Sequence, residues 1–122
     1  MTKRILIADD EASVRLLVSN TLEDERFDIV EAVDGADALA KAEKLCPDLL
    51  ILDFMMPNLN GVEVCRRVKA DPLLAHTKII MLTARTQNTD TEQAMQAGAD
   101  HYLQKPFSPL ELMNLVEEVL NA

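Results

Sequence analysis

Residues 49–61 read Leu49-Leu50-Ile51-Leu52-Asp53-Phe54-Met55-Met56-Pro57-Asn58-Leu59-Asn60-Gly61. Four consecutive apolar residues describe a strand buried on both faces, as in a parallel sheet covered by helices. Asp53 closes the run. An acid placed there, ahead of Phe54-Met55-Met56-Pro57, is hard to read as a solvated surface group. Asn60 can cap the helix that follows, with Glu63 placed for a capping box and Val64, Cys65 and Val68 on the inner face.

The same alternation extends both ways. Ile5-Leu6-Ile7-Ala8 is a second buried-strand run, followed by Val14, Leu17, Val18, Thr21 and Leu22 at helical spacing. Phe27 to Ala32 reads as a strand. Asp34 can cap a helix carrying Leu39, Ala42 and Leu45, which Pro47 ends. Downstream, Ile79-Ile80-Met81-Leu82 is a fourth strand, roughly Thr86 to Ala97 a fourth helix with Gly98 as its stop, and Tyr102-Leu103 a fifth strand. Ser108-Pro109-Leu110-Glu111 starts a last helix whose inner positions are Leu112, Leu115, Val116 and Val119. Strands alternating with helices predict a parallel sheet with helices on both faces.

The 122 residues fit one domain, and 48% apolar against 27% charged residues fit a packed core under a soluble surface rather than disorder. The net charge of −9 should repel nucleic acid and anionic lipid. No stretch is long and apolar enough to span a bilayer, and no signal peptide is visible, so a cytoplasmic location is expected. Cys46 and Cys65 lie in helical patterns without metal-like spacing and are read as apolar fillers. His76 and His101 are read as surface residues and the methionines as core or gap-filling residues.

In an open parallel sheet, ligands bind beyond the carboxyl ends of the strands. Those ends carry Asp9-Asp10, then Asp53, Thr83 and Lys105-Pro106. Three carboxylates brought together repel one another, so a cation is implied. The donors are hard oxygens, which favours Mg²⁺ or Mn²⁺ over zinc. The blander reading is that Asp9 or Asp10 caps the first helix, which needs only one acid. Lys105 fits equally a structural counter-ion or a contact for a phosphoryl oxygen. Thr83 can simply end a strand.

Taken in order, Asp9-Asp10, Asp53 with Met56-Pro57 and Gly61, Thr83-Ala84 and Lys105-Pro106-Phe107 resemble the response-regulator receiver domain over essentially the whole chain. The resemblance implies a flavodoxin-like (βα)5 three-layer sandwich with five parallel strands ordered 2-1-3-4-5, an order that the fold's known chemotaxis examples share. It implies a single receiver domain over residues 1–122 without an output domain. It further implies a two-component switch rather than an enzyme in the ordinary sense, with self-catalysed phosphorylation and dephosphorylation. By resemblance, Asp53 accepts a phosphoryl group from a sensor histidine kinase or histidine phosphotransfer protein. Asp10, Asp53 and the Met55 carbonyl ligate Mg²⁺, with Asp9 acting through water or as a further ligand. Thr83 and Lys105 contact the phosphoryl oxygens, Tyr102 turns inward as the threonine moves, and the Lys105-Pro106 bond is cis. Met55 cannot hydrogen-bond an attacking water. Homodimerisation through the fourth helix, fifth strand and fifth helix is a further expectation carried by resemblance.

Rival readings fit less well. A phosphatase with an aspartyl-phosphate intermediate would place an acid at Met55. A flavin module would have a glycine- or hydroxyl-rich first turn, where this chain has Ala8-Asp9-Asp10-Glu11, and more than 3% aromatics. A degenerate scaffold would lack part of the site. The fourth helix, with Ala94, Met95 and Ala97 as its main anchors, is expected to be weakly held and to form part of a partner face. Leu110, Met113 and Leu120 widen the apolar arc of the last helix.

Overall fold

The computed structural model describes residues 2–84 and 88–121. The elements alternate as expected: β1 (Lys3–Ala8), α1 (Ala12–Thr21), β2 (Phe27–Ala32), α2 (Gly35–Leu45), β3 (Leu49–Asp53), α3 (Gly61–Ala70), β4 (Lys78–Ala84), α4 (Asn88–Gln96), β5 (His101–Lys105) and α5 (Pro109–Asn121). A short 3₁₀ turn, Pro72–Leu74, leads into β4. All strand pairs are parallel, in the order β2-β1-β3-β4-β5. This is the flavodoxin-like arrangement, and it sets β1 beside β3 at the centre.

Alternation along the strands divides the core in two. Leu6, Ala8, Leu50, Leu52, Ile79 and Met81 pack with residues of α2, α3 and α4. Ile5, Ile7, Leu49, Ile51, Ile80 and Leu82 pack with residues of α1 and α5. β3 is buried at every position, as its uninterrupted apolar run requires.

The expected cap residues act at three helix starts. Asp34 Oδ1 accepts from the Asp37 amide at 2.8 Å and Asn60 Oδ1 from the Glu63 amide at 3.0 Å. Glu63 turns its carboxylate to Arg67 at 3.4 Å, so the reciprocal half of that box is replaced by an i,i+4 pair. At α5 the box is complete, with Ser108 Oγ and the Glu111 carboxylate exchanging bonds with each other's amides at 3.1 Å. Gly98 follows α4 at φ 104°, a conformation only glycine adopts cheaply.

Several expectations need correction. α1 begins at an N-cap Glu11 without a side-chain capping bond, so neither Asp9 nor Asp10 serves as its cap. Leu17 is 40% exposed, because α1 turns Val18 and Leu22 inward instead. Cys46 is an exposed left-handed residue at the end of α2, whereas Cys65 is buried as expected. Met55 and Met95 are exposed, while Met56 and Met81 lie in the core. Ala94 and Ala97 therefore anchor α4 without Met95. The expected helix start at Thr86 lies outside the described residues.

Leu22→Ala should lower unfolding free energy by about 2–5 kcal/mol by opening a cavity. Leu17→Ala should cost less than about 1 kcal/mol, since much of that side chain already meets water. Urea denaturation of the two variants checks the assignment.

Candidate functional site

The sheet's carboxyl edge collects the charged side chains, and strand parity explains how. Asp9 continues the Ile5-Ile7 face of β1, Asp53 the Leu49-Ile51 face of β3, and Lys105 the Leu103 face of β5. Thr83 belongs to the opposite parity, with Ile79 and Met81. Asp9, Asp53 and Lys105 thus meet on one side of the edge and Thr83 approaches from the other.

Asp9 is fully buried and both its oxygens are engaged. Oδ1 accepts from the Glu11 amide at 2.9 Å and Oδ2 from Lys105 Nζ at 3.0 Å. The same ammonium lies 3.1 Å from Asp53 Oδ1 and 3.9 Å from Glu11 Oε1. Asp10 is exposed at the mouth. The carboxylate oxygens of Asp9, Asp10 and Asp53 fall within 4.8 Å of one another.

This crowding shifts ionisation. Burial, with the neighbouring charge of Asp9, pushes the Asp53 carboxyl up to about 6, although Lys105 pulls against it. Burial alone would depress Lys105, but the charge of Asp53 and the bond to Asp9 outweigh it and the net shift is upward. One ammonium therefore does not compensate three acids. The residues fit a hard divalent cation: the donors are all carboxylate oxygens, two buried and one open to solvent.

A second incomplete feature lies next to this one. Thr83 is buried, and its Oγ1 has no hydrogen-bond partner among the described residues. It stands one position beyond Leu82, the register partner of Asp53. Buried hydroxyls are normally satisfied, so an orphan beside an acidic cluster suits an incoming oxyanion. Tyr102, on β5, is 43% exposed and faces outward. The Lys105-Pro106 peptide bond is cis.

The site opens into a cleft of about 620 Å³. Its charged wall is Asp10, Glu11, Asp53 and Lys105, and its apolar wall includes Val14, Leu17, Met55 and Phe107. Gly61 lets α3 begin against the end of β3, since a Cβ there would overlap the Asp53 carbonyl oxygen. The structure brings Asp9, Asp10, Asp53 and Lys105 together, and sets Thr83 beside them on the neighbouring strand. It also shows a residue that the sequence did not single out. Arg15 Nη1 donates to the Asp9 carbonyl at 2.7 Å while its Nε pairs with Glu31 at 3.2 Å, fixing the turn that carries the acids. A polar residue on the first helix gives no signal of this kind, because its partner is a backbone oxygen.

An open parallel sheet with a cation-seeking acidic cleft at its carboxyl edge defines a class of α/β proteins that handle phosphoryl groups. Comparison narrows the class: the family profile of the response regulator receiver domain matches residues 5–117, and the chain belongs to that family. It is similar to the alkaline phosphatase synthesis transcriptional regulatory protein PhoP of Bacillus subtilis, with 42% identity over 98% of this chain and 49% of the relative. The chain spans about half the length of the curated relatives it matches. Among solved structures, the chemotaxis response regulator CheY4 of Vibrio cholerae is 36% identical, with a TM-score of 0.91 over 98% of this chain and 100% of that one. The receiver domain of the sensor histidine kinase PA1611 from Pseudomonas aeruginosa is 27% identical, with a TM-score of 0.90 over all of both chains. That structure has a magnesium ion coordinated in its active-site cleft. The chain is thus a receiver module of two-component response regulators, a signalling domain.

The Asp53 shift carries a sign. Its carboxyl holds a proton to higher pH in the folded chain than in the unfolded one, so its contribution to stability falls as pH rises from 3.8 to about 6. In cation-free buffer at pH 7.5, Asp53→Asn should therefore be more stable than wild type by about 1–3 kcal/mol. The gap should close as pH is lowered through that window, and shrink when Mg²⁺ is added. Thermal melts with EDTA and with Mg²⁺ test this.

Proposed function

We propose that this chain is a Mg²⁺-dependent switch phosphorylated on Asp53 by a sensor histidine kinase or histidine phosphotransfer protein. The observation that carries the reading is Asp53 itself: a buried carboxylate, held by Lys105 beside two further acids and next to a Thr83 hydroxyl that has no hydrogen-bond partner among the described residues. Asp53 attacks the phosphorus of the donor through a carboxylate oxygen. A C–O–P linkage forms, the donor's P–N bond breaks, and its electron pair returns to the imidazole. Lys105, already bridging Asp9 and Asp53, turns its ammonium to a phosphoryl oxygen. Thr83 donates its hydroxyl to another, and Tyr102 moves inward as the threonine shifts.

Asp10, Asp53 and the Met55 carbonyl would hold Mg²⁺ or Mn²⁺, with Asp9 acting through water or as a further ligand, and the ion supplies positive charge to the phosphoryl oxygens. Asp9 suits that outer place because both of its oxygens already accept hydrogen bonds. Hydrolysis by water returns Asp53 and inorganic phosphate, so the domain also removes its own signal. Met55 offers this step no hydrogen bond, and its exposed side chain borders the cleft.

The phosphorylated domain passes its state on through a protein contact, including a homodimer formed by α4, β5 and α5. Net charge −9 disfavours direct contact with DNA. Residues 1–122 act as one receiver domain. No helix of the described residues is long and apolar enough to cross a membrane, and a cytoplasmic location suits a kinase-coupled switch.

Incubation with acetyl phosphate and Mg²⁺ should add one phosphoryl group to the intact mass. The gain should vanish in Asp53→Asn and with EDTA, and Lys105→Ala should slow it at least about tenfold. A gain that persists in Asp53→Asn would place the acceptor elsewhere. Beryllofluoride, a mimic of the acyl phosphate, should change the protein's conformation even if the phosphoryl group turns over too fast to trap.

A further inference from the structure

The loop that follows Asp53 is held at three points. Next to Asp53, the Phe54 amide donates to the Leu82 carbonyl at 2.9 Å, and the Phe54 carbonyl accepts from the Gly61 amide at 3.0 Å. At its far side Asn60 caps α3. The third point lies on a different element, the turn between β2 and α2. Asn58 Nδ2 donates to Asp34 Oδ2 at 3.0 Å, while the other oxygen of the same carboxylate caps α2. Beside this bond α2 starts directly against the loop, and a Cβ on Gly35 would overlap the Leu59 carbonyl oxygen.

Asn58 adopts a φ of 71°, the left-handed region that asparagine tolerates better than most residues. A glycine would adopt this conformation at least as easily. The backbone shape therefore does not require an amide side chain. What the amide adds is the bond to Asp34.

Between the Phe54 anchor and the Asn58 anchor lies Met55, whose side chain is 68% exposed and offers the loop little packing. Mg²⁺ tolerates little deviation in the placement of its oxygen donors. A loop contributing one carbonyl to such a site must be fixed by other bonds. We propose that Asp34, through its hydrogen bond to Asn58, is a positioning residue that presets the Phe54-to-Asn60 loop, and with it the Met55 carbonyl, for the divalent cation. The inference rests on the site assignment made under Proposed function. It gives Asp34 two tasks, one per oxygen: starting α2 and setting the neighbouring loop.

The two tasks separate by mutation. Asp34→Ser keeps a good helix cap and loses the second acceptor. Asn58→Gly keeps the left-handed turn, loses the amide, and leaves the net charge unchanged, so long-range attraction for the cation is preserved. At 0.15 M salt, each variant should bind Mg²⁺ about three- to tenfold more weakly by titration calorimetry. Phosphorylation by acetyl phosphate should need correspondingly more Mg²⁺ for half its maximal rate. The maximal rate at saturating Mg²⁺ should stay within about twofold, because no group touching the phosphoryl is altered. The double variant should be no weaker than the worse single one, since both remove the same bond.

An Asn58→Gly protein with wild-type Mg²⁺ affinity overturns the inference, and so do independent losses that multiply in the double variant. A fall in maximal rate without a change in Mg²⁺ requirement also overturns it. Wild-type protein that takes up neither Mg²⁺ nor phosphoryl overturns the site assignment itself and this inference with it.

Discussion

The constraint behind the rest is the repulsion among Asp9, Asp10 and Asp53. Their oxygens lie within 4.8 Å of one another at a sheet edge where two of the three are buried. Such a cluster disfavours folding unless positive charge arrives. Lys105 offers part of it, reaching from β5 across β4 to acids on both central strands. The remainder is left open, together with the Thr83 hydroxyl. Among the described residues the site is thus under-compensated in charge, and the Thr83 hydroxyl beside it lacks a hydrogen-bond partner, a combination that fits a hard divalent cation.

Everything around the cluster holds it in place. Parity along β1, β3 and β5 aims Asp9, Asp53 and Lys105 to one face. Arg15 pins the Asp9 carbonyl, and Gly61 allows α3 to begin against the backbone of Asp53. The apolar strands supply rigidity, since β3 has no exposed position. A rigid edge stops the acids from relaxing apart, and this sustains the raised pKa of Asp53.

Much of this was legible in the sequence because it depends on local pattern. The run Leu49 to Leu52 announced a doubly buried strand, and Asp34, Asn60 and Ser108 announced helix starts that the hydrogen bonds bear out. The site residues could be gathered from strand ends, since a parallel sheet brings those ends to one edge. Where the reading failed, the cause lay in three dimensions. Leu16, Leu17 and Val18 are all apolar, and only the angle at which α1 lies on the sheet decides that Val18 is buried. Cys46 continued the pattern of α2, but the helix ended one residue earlier and left it outside. Arg15 and Asn58 act on partners on other elements, and no spacing along the chain records such meetings.

The sheet also has a consequence for how this protein can change over time. It separates two apolar bodies, one under α2, α3 and α4 and the other under α1 and α5. Substitutions within one body share neighbours and should show epistasis, each altering the effect of the next. Substitutions in different bodies meet only through the strands and should combine almost independently. A lineage can therefore remodel the packing beneath α1 and α5 while the opposite layer drifts little. The cluster at the shared edge, touching both, is the part with least freedom to follow either.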